Sequence, residues 1–334
     1  MPRVSILLPC HNAAATLPET IASLAAQTFI DYEVLAVDDG STDDTAALLE
    51  RWSARDSRVR VLTQTHGGIL AALIRALDAA NGEIIARMDA DDVAHPQRLT
   101  RQIELLEEHS DVAACGTGVR YFPRAAVRDG ARRYELWLNA IHSPADVVRD
   151  IFVECPLAHP TLCARRAALV NVGGYAEHGW PEDYDLVLRL YEAGCPMANV
   201  PAVLLDWREQ PQRASRIEPR YQPDAFRRCK VHYLRRTLLA HRDGVVVWGA
   251  GPVGKAFARE LSAQGAVLRA FVDLDPRKIG QVIHGAPVIA PGEIGRYRES
   301  LAVAAVGQPH ARAEIRAALR GAGWREGVDF IAVA

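Results

Sequence analysis

From residue 4 to residue 108, short apolar β-rich runs alternate with stretches of helical periodicity, and few folds accommodate that rhythm. Val4–Leu8, Glu33–Val37, Val59–Leu62 and Glu83–Met88 read as strands. Between and after them, Leu17–Gln27, Asp44–Ser53, Ile69–Ala79 and Arg98–Glu108 read as helices. Strands separated by helices pair in parallel, because the crossover returns each strand in the same direction. The expectation is an α/β fold: a mostly parallel sheet flanked by helices. Beyond Glu108 the pattern loosens into a mixed region reaching about Ser215. Val245–Trp248 then opens a second strand–helix series, predicting a small C-terminal α/β domain. The chain thus divides into a first domain over 1–222, a basic helical linker over 223–243 and a second domain over 244–334.

The chain's 334 residues suffice for two cores. A net charge of −2 gives no general pull toward nucleic acid. Six scattered cysteines without a C-x-x-C pair read as buried thiols of a reducing compartment. No leader pattern opens the sequence, and no apolar run approaches the roughly 18 residues of a spanning helix. The expected place is therefore the cytoplasm. The linker, FRRCKVHYLRRTLLAHR, reads as a helix packing one face on the protein, with contact at the inner membrane face as the sharper alternative.

Two carboxylate clusters directly follow hydrophobic strands: VLAVDDGSTDDT at 34–45 and IIARMDADDVAHP at 84–96. Ligands of open parallel sheets bind outside the carboxyl ends of the strands, so both clusters should line one crevice. Converging aspartates repel unless a cation joins them. Oxygen-only ligation suits Mg²⁺ or Mn²⁺, and such ions are commonly shared with a diphosphate. The first cluster could also be a turn and helix cap. The second is harder to explain structurally, with three acids in four residues after an apolar strand.

No G-x-x-x-x-G-K-[ST] occurs, which argues against a P-loop hydrolase. Asp89-Ala90-Asp91-Asp92-Val93 resembles the nucleophile motif of haloacid-dehalogenase-type phosphatases, but those require a nearby lysine, and the first 229 residues contain none.

The ordered set Pro9-Cys10-His11-Asn12, Val37-Asp38-Asp39-Gly40-Ser41-Thr42-Asp43, Asp89-Ala90-Asp91-Asp92, His95-Pro96-x-Arg98-Leu99, Gly173-Gly174-Tyr175 and Glu182-Asp183-Tyr184-Asp185-Leu186 resembles glycosyltransferase family 2, inverting enzymes of the GT-A fold. The likeness spans roughly 3–215. It implies a nucleotide pocket from Pro9, Asn12, Asp38 and Asp39, with Asp89 toward the ribose or sugar. It also implies that Asp91, with Asp89 beside it, ligates the metal that bridges the diphosphate, while Asp92 is a helper or a cap for the next element. Two departures stand out. Leu73-Ile74 occupies a place where the family often carries Arg or Asn, and Gln210 ends a tract, Trp207-Arg208-Glu209-Gln210, that commonly ends in His.

Asp183, Leu186, Val187, Leu190 and Tyr191 share one helix face, so Asp183 should point inward with the apolar stripe. Asp185 and Arg189 read as an i,i+4 surface pair. A carboxylate facing a cleft suits a general base. The resemblance assigns that role to the Asp of its Glu-Asp motif, Asp183 here, with Glu182 as the alternative. Both acids could instead merely complement the helix dipole. His159 reads as a buried, hydrogen-bonded histidine.

In the C-terminal series, Gly249, Gly251 and Gly254 form G-x-G-x-x-G after a strand, and Asp273 closes the next one. That pattern matches the dinucleotide-binding fingerprint and predicts a Rossmann-like nucleotide-binding domain. A structural or dimerising role, giving a homodimer, is the other reading. The expected function is transfer of a sugar from a nucleotide-sugar donor to a saccharide, lipid-linked or protein acceptor in cell-surface polysaccharide, lipopolysaccharide or glycoprotein assembly. A non-catalytic sugar-nucleotide sensor and an NAD-linked oxidoreductase are the competing classes.

Overall fold

Apolar runs with polar residues only at their ends become strands buried on both faces, as parallel pairing with helices above and below requires. In the computed structural model, β1 (Val4–Cys10) and β2 (Tyr32–Asp39) are almost wholly buried. The structure describes residues 1–210, 218–308 and 310–334, so the expected end of the mixed region near Ser215 lies outside the described residues.

The chain divides into two compact units. The first takes Met1–Val147, Pro156–His178 and the described part of Glu182–Ile217. After β1 come α1 (Leu17–Ala25), β2, α2 (Thr45–Ser53), β3 (Val59–Gln64), α3 (Gly68–Asp78), β4 (Ile84–Arg87), β5 (Val93–Ala94) and α4 (Arg98–Glu108). Next in the chain are β6 (Ala114–Phe122), α5 (Asp129–Leu138), α6 (Pro144–Asp150), β7 (Cys163–Arg165), α7 (Arg166–Asn171), α8 (Glu182–Glu192) and β8 (Met197–Arg208).

The eight strands run in the order β3-β2-β1-β4-β7-β6-β8-β5. β3, β2, β1 and β4 are mutually parallel, whereas β7 runs against both β4 and β6 and β5 runs against β8. Register sets Cys10 opposite Asp38 and Leu7 opposite Arg87. The tips of β2 and β4 therefore flank the tip of β1. One core layer gathers Val4, Ile6 and Leu8 with Leu17, Leu24, Leu99 and Ile103 of α1 and α4.

The second unit takes Val148–Cys155, Gly179–Pro181 and Glu218–Ala334. The stretch 223–243, expected as a linker, falls inside it. Its helix α9 (Pro223–Arg236) buries Cys229, Val231, Tyr233 and Leu234. Lys230 of this basic segment is not on a solvated face, for its ammonium donates to the carbonyls of Val153 (2.7 Å) and Val333 (3.2 Å), and burial lowers its pKa. Beyond it lie β9 (Val245–Trp248), α10 (Pro252–Ala263), β10 (Leu268–Val272), β11 (Val282–Ile283), β12 (Ala286–Ile289), β13 (Leu301–Ala304), α11 (Ala311–Gly321) and β14 (Phe330–Ala332). These strands order as β11-β12-β10-β9-β13-β14, all parallel except the β11–β12 hairpin.

Close backbone approach fixes the start of β4. Gly82 N donates to Ser5 Oγ (2.8 Å), and a Cβ on Gly82 would lie 2.6 Å from Ser5 N. Gly82→Ala should therefore destabilise the first unit by about 2 kcal/mol, the scale of overpacking against rigid backbone. An unfolding transition at the wild-type temperature would show that the contact relaxes freely.

Candidate active site

At the tip of β2, Asp39 is buried and spends its carboxylate on the β3–α3 connection. Gln64 Nε2 (2.7 Å) and Gly67 N (2.8 Å) donate to Oδ1, Gly68 N (2.8 Å) donates to Oδ2, and His66 Nδ1 lies 2.9 Å from Oδ2. Burial alone would raise its pKa, but these donors outweigh burial and hold it below the usual carboxylate range. Asp38 instead accepts Ser41 N locally (3.3 Å), and Asp43 caps Thr45 N (3.0 Å) and Ala14 N (3.0 Å). The cluster is thus part turn and part platform.

Asn12, in the left-handed region at φ 48°, accepts Thr42 N (2.8 Å) on its side-chain oxygen, tying the tip of β1 to that of β2. The rings of His11 and His66 stack at 4.0 Å, and both Nδ1 atoms approach Asp39 O, at 2.8 and 3.2 Å. Beneath them, burial pushes the Cys10 thiol pKa up, and the charges of Asp38 and Asp89 push it further. Cys10 therefore feels both acidic clusters, one from each neighbouring strand. Thr16 Oγ1 donates to Ala90 O (3.1 Å), which ties the second cluster to the loop after β1.

Arg87, the last residue of β4, is buried and grips both carboxylate oxygens of Asp89. Arg98, also buried, donates to the carbonyls of Arg87 (2.9 Å) and Pro160 (2.9 Å). Burial depresses the Arg98 guanidinium to about 10, and Arg87 contributes as a like charge, while Asp92 opposes the fall. The protein therefore supplies much of the positive charge that the acidic loop needs. The self-repulsion that pointed to a metal is relieved in part by arginines, which corrects the expectation that only a cation could relieve it.

Asp92 does not cap a helix, for the next element is the short strand β5. It is buried and accepts Arg208 N (2.7 Å) from the end of β8. Arg208 Nε donates to Asp91 O (2.6 Å), and Gln210 Nε2 donates to Asp91 Oδ2 (2.9 Å). The residue standing where the family tract commonly has His thus lies on the Asp91 carboxylate. Ligand atoms of Asp89, Asp91 and Asp92 all lie within 4.8 Å of one another. This all-oxygen set fits a hard divalent cation, and carboxylate oxygens engaged by Arg87 or Gln210 keep further lone pairs for one.

α8 begins at Glu182. Asp183 is half-buried, whereas Glu182 is 2% exposed and its Oε1 lies 3.9 Å from His159 Nδ1. His159 Nε2 meets the Tyr175 hydroxyl at 2.9 Å. Burial, then the charge of Arg87, pushes the His159 pKa well down, so its contact with Glu182 is between a neutral imidazole and a carboxylate and is no salt bridge. Tyr175 is pushed up by burial; Arg87 opposes that shift, while Glu182, Asp183 and Asp89 reinforce it. One phenol thus senses the acids of α8 and the acid after β4. Asp185 departs from the expected surface pair. It is fully buried, taking Arg189 Nε (2.7 Å) and lying 3.1 Å from His178 Nδ1, because α8 is covered on more than its apolar stripe.

With this geometry in view, the sequence pattern of glycosyl transferase family 2 matches residues 5–172. The glycosyltransferase EpsE of Bacillus subtilis is 32% identical over 265 residues, covering 77% of this chain and 90% of that protein. The chain belongs to glycosyl transferase family 2. The amylovoran biosynthesis glycosyltransferase AmsE of Erwinia amylovora is 30% identical over 204 residues, 60% of this chain and 74% of AmsE. The fold is shared with S. aureus TarS 1–349 in complex with UDP-GlcNAc, at TM-score 0.56 and 20% identity, over 70% of this chain and 66% of that one. The protein is a glycosyltransferase of GT-A-like architecture, with relatives in polysaccharide biosynthesis.

Within this glycosyltransferase, Pro9, Asn12, Asp38, Asp39, Asp89 and Asp91 gather at the carboxyl edge of one sheet, and Glu182 and Asp183 are felt by the same Tyr175 that feels Asp89. Arg87 carried no role in the sequence pattern, and Arg208 entered it only as part of the tract ending at Gln210, with no contact to the acids expected of it. The signal available for Arg87 was a lone charge closing an otherwise apolar strand.

The neutral state of His159 has a sign that can be tested. An unfolded imidazole titrates near 6.5, so below about pH 6.5 the unfolded chain binds a proton that the folded one excludes. The stability held at neutral pH is lost as pH falls through that value. His159→Gln should flatten the decline of the unfolding temperature between about pH 7 and pH 5. Parallel declines in the two proteins would contradict a neutral His159.

Proposed function

We propose that this glycosyltransferase moves a sugar from a nucleoside-diphosphate donor to an acceptor hydroxyl with inversion, in the assembly of a cell-surface polysaccharide. The observation that carries the reading is the gathering of Asp89 and Asp91 at one sheet edge, coupled through Arg87 and Tyr175 to the acids of α8. Asp39, Asn12 and Pro9 frame the nucleotide side, where fixed donors on Asp39 keep the loop after β3 in place. Asp91 and Asp89 would hold Mg²⁺ or Mn²⁺. A divalent cation held there supplies positive charge to the departing nucleoside diphosphate.

The chemistry assigned to the chain is a single displacement. Asp183 accepts the acceptor's hydroxyl proton while that oxygen bonds to the anomeric carbon. The bond from that carbon to the diphosphate oxygen breaks in the same event, so the configuration inverts. Asp183 is preferred to Glu182 because it is half-buried and reachable, whereas Glu182 is enclosed beside His159. Its place in the first turn of α8 favours the ionised form a base needs.

Asp183→Asn should lower kcat on the order of 10³-fold with donor affinity retained, the scale of losing a positioned base. Wild-type turnover in that variant would transfer the role elsewhere, and Glu182→Gln is the paired control. Asp91→Asn should raise the Mn²⁺ concentration for half-maximal rate by about tenfold or more, as expected for a weakened carboxylate site. An unchanged metal titration would remove Asp91 from the cation site. Binding of donor without transfer or hydrolysis in the wild type would favour the sensor reading instead.

A further inference from the structure

The second unit holds a cavity of about 750 Å³ at the carboxyl ends of β9, β10 and β13. β10 lies on one side of β9 and β13 on the other, so the connections after β9 and β13 leave a crevice between them. The three glycines after β9 have three different physical reasons. Gly249 sits at φ +116°, which disfavours any side chain. A Cβ on Gly254 would lie 1.7 Å from Gly249 O, so close packing of α10 on the turn requires its absence. Gly251 has neither reason. Its backbone is extended (φ −88°, ψ −174°), and a Cβ there would meet nothing within 4 Å. It lines the cavity, and its bare backbone leaves room for something outside the protein.

The surroundings indicate what that is. α10 starts at Pro252, which has no N–H, and Lys255 N is taken by Gly251 O (2.9 Å), so Val253 N and Gly254 N are the donors that its first turn, at the positive end of the dipole, offers an anion. Across the cavity, Asp273 accepts Ala250 N (2.9 Å), Asp275 N (2.9 Å) and Lys278 Nζ (2.9 Å). Burial would raise its pKa, but these donors keep it lowered, so it stays an ionised acceptor for hydroxyls while Lys278 cancels its repulsion of a nearby phosphate. Leu274, Val306 and Ile315 add apolar surface. Anion donors, a hydroxyl acceptor and apolar walls are together the complement of a nucleotide.

We propose that this cavity binds a nucleoside 5′-diphosphate group without a metal, its diphosphate lying over Gly251 and its ribose toward Asp273. The two side-chain groups able to hold a cation among the described residues, His11 with Asp39 and His66, and Asp89 with Asp91 and Asp92, both belong to the first unit. Lys278, with its ammonium on Asp273 (2.9 Å), supplies a positive charge at this cavity from the chain itself, so the binding is proposed to need no cation.

The test titrates the whole chain in EDTA with NAD⁺, ADP-ribose and UDP-N-acetylglucosamine, read by calorimetry and by the shift in unfolding temperature. At least one probe should bind. Gly251→Val should weaken that binding by roughly tenfold or more, the scale of losing the polar contacts of one phosphate. Because the added side chain faces open space, the ligand-free unfolding temperature and the sugar-transfer rate should stay at wild-type values. Gly251→Ala, the smaller change, should weaken binding in the same direction. Binding of the adenine probes alone would identify a dinucleotide source, and binding of the uridine probe alone a sugar-nucleotide source. Binding by no probe in EDTA, or binding untouched by both Gly251 variants, would overturn the proposal. Neither result bears on the transfer reaction, which the Asp91 and Asp183 variants test separately.

Discussion

The buried guanidinium of Arg87 is the constraint around which the first unit's functional end is arranged. A charge taken out of water in this way is costly unless a counter-charge meets it with good geometry. Asp89 does so with both carboxylate oxygens, two residues further along the same chain. That pairing turns the backbone after β4 so that Asp91 and Asp92 leave the sheet on the side where β8 ends. Arg208 and Gln210 then hold the loop from the other side. Arg98 fixes the carbonyl of Arg87 from behind. The acids that invite a cation are therefore also counter-ions of the fold, so losing one carries a structural cost as well as a chemical one.

Much of the first sheet was legible in the sequence, because strands buried on both faces leave continuous apolar runs and the helices between them keep a clear period. α4 and β9 begin and end where the pattern put them. The far half of the sheet was not legible. β7 has three residues and β5 has two, too short for any periodicity to register, and β6 pairs with β8 across the whole stretch from Pro123 to Pro196. The acids were legible for a different reason, since charge directly after an apolar strand marks the sheet's carboxyl edge. Their partners were hidden. Nothing in the order of residues tells which face Arg87 takes, or that Asp185 is enclosed instead of exposed.

The departure at Gln210 shows how a substitution can keep a contact while changing its chemistry. The amide reaches the Asp91 carboxylate at hydrogen-bond distance and donates to it. An imidazole can offer a lone pair to a cation as well as a proton to a carboxylate. An amide offers its oxygen to a cation only by turning its NH₂ away from Asp91. The two options exclude each other for one carboxamide, so Gln210 in the observed orientation stabilises the ionised Asp91 carboxylate by donation.

Arg87 also joins the two halves of the proposed reaction. Its charge helps keep His159 neutral, opposes the upward push on Tyr175 and compensates Asp89. A neutral His159 cannot serve as a counter-ion to Glu182, which it meets only as an uncharged ring. The same guanidinium thus pairs with Asp89 and acts on Tyr175, the phenol that also feels Glu182 and Asp183. On this electrostatic ground, the carboxylate of Asp89 and the His159–Tyr175 pair beside α8 share one guanidinium, and a change at Arg87 reaches both.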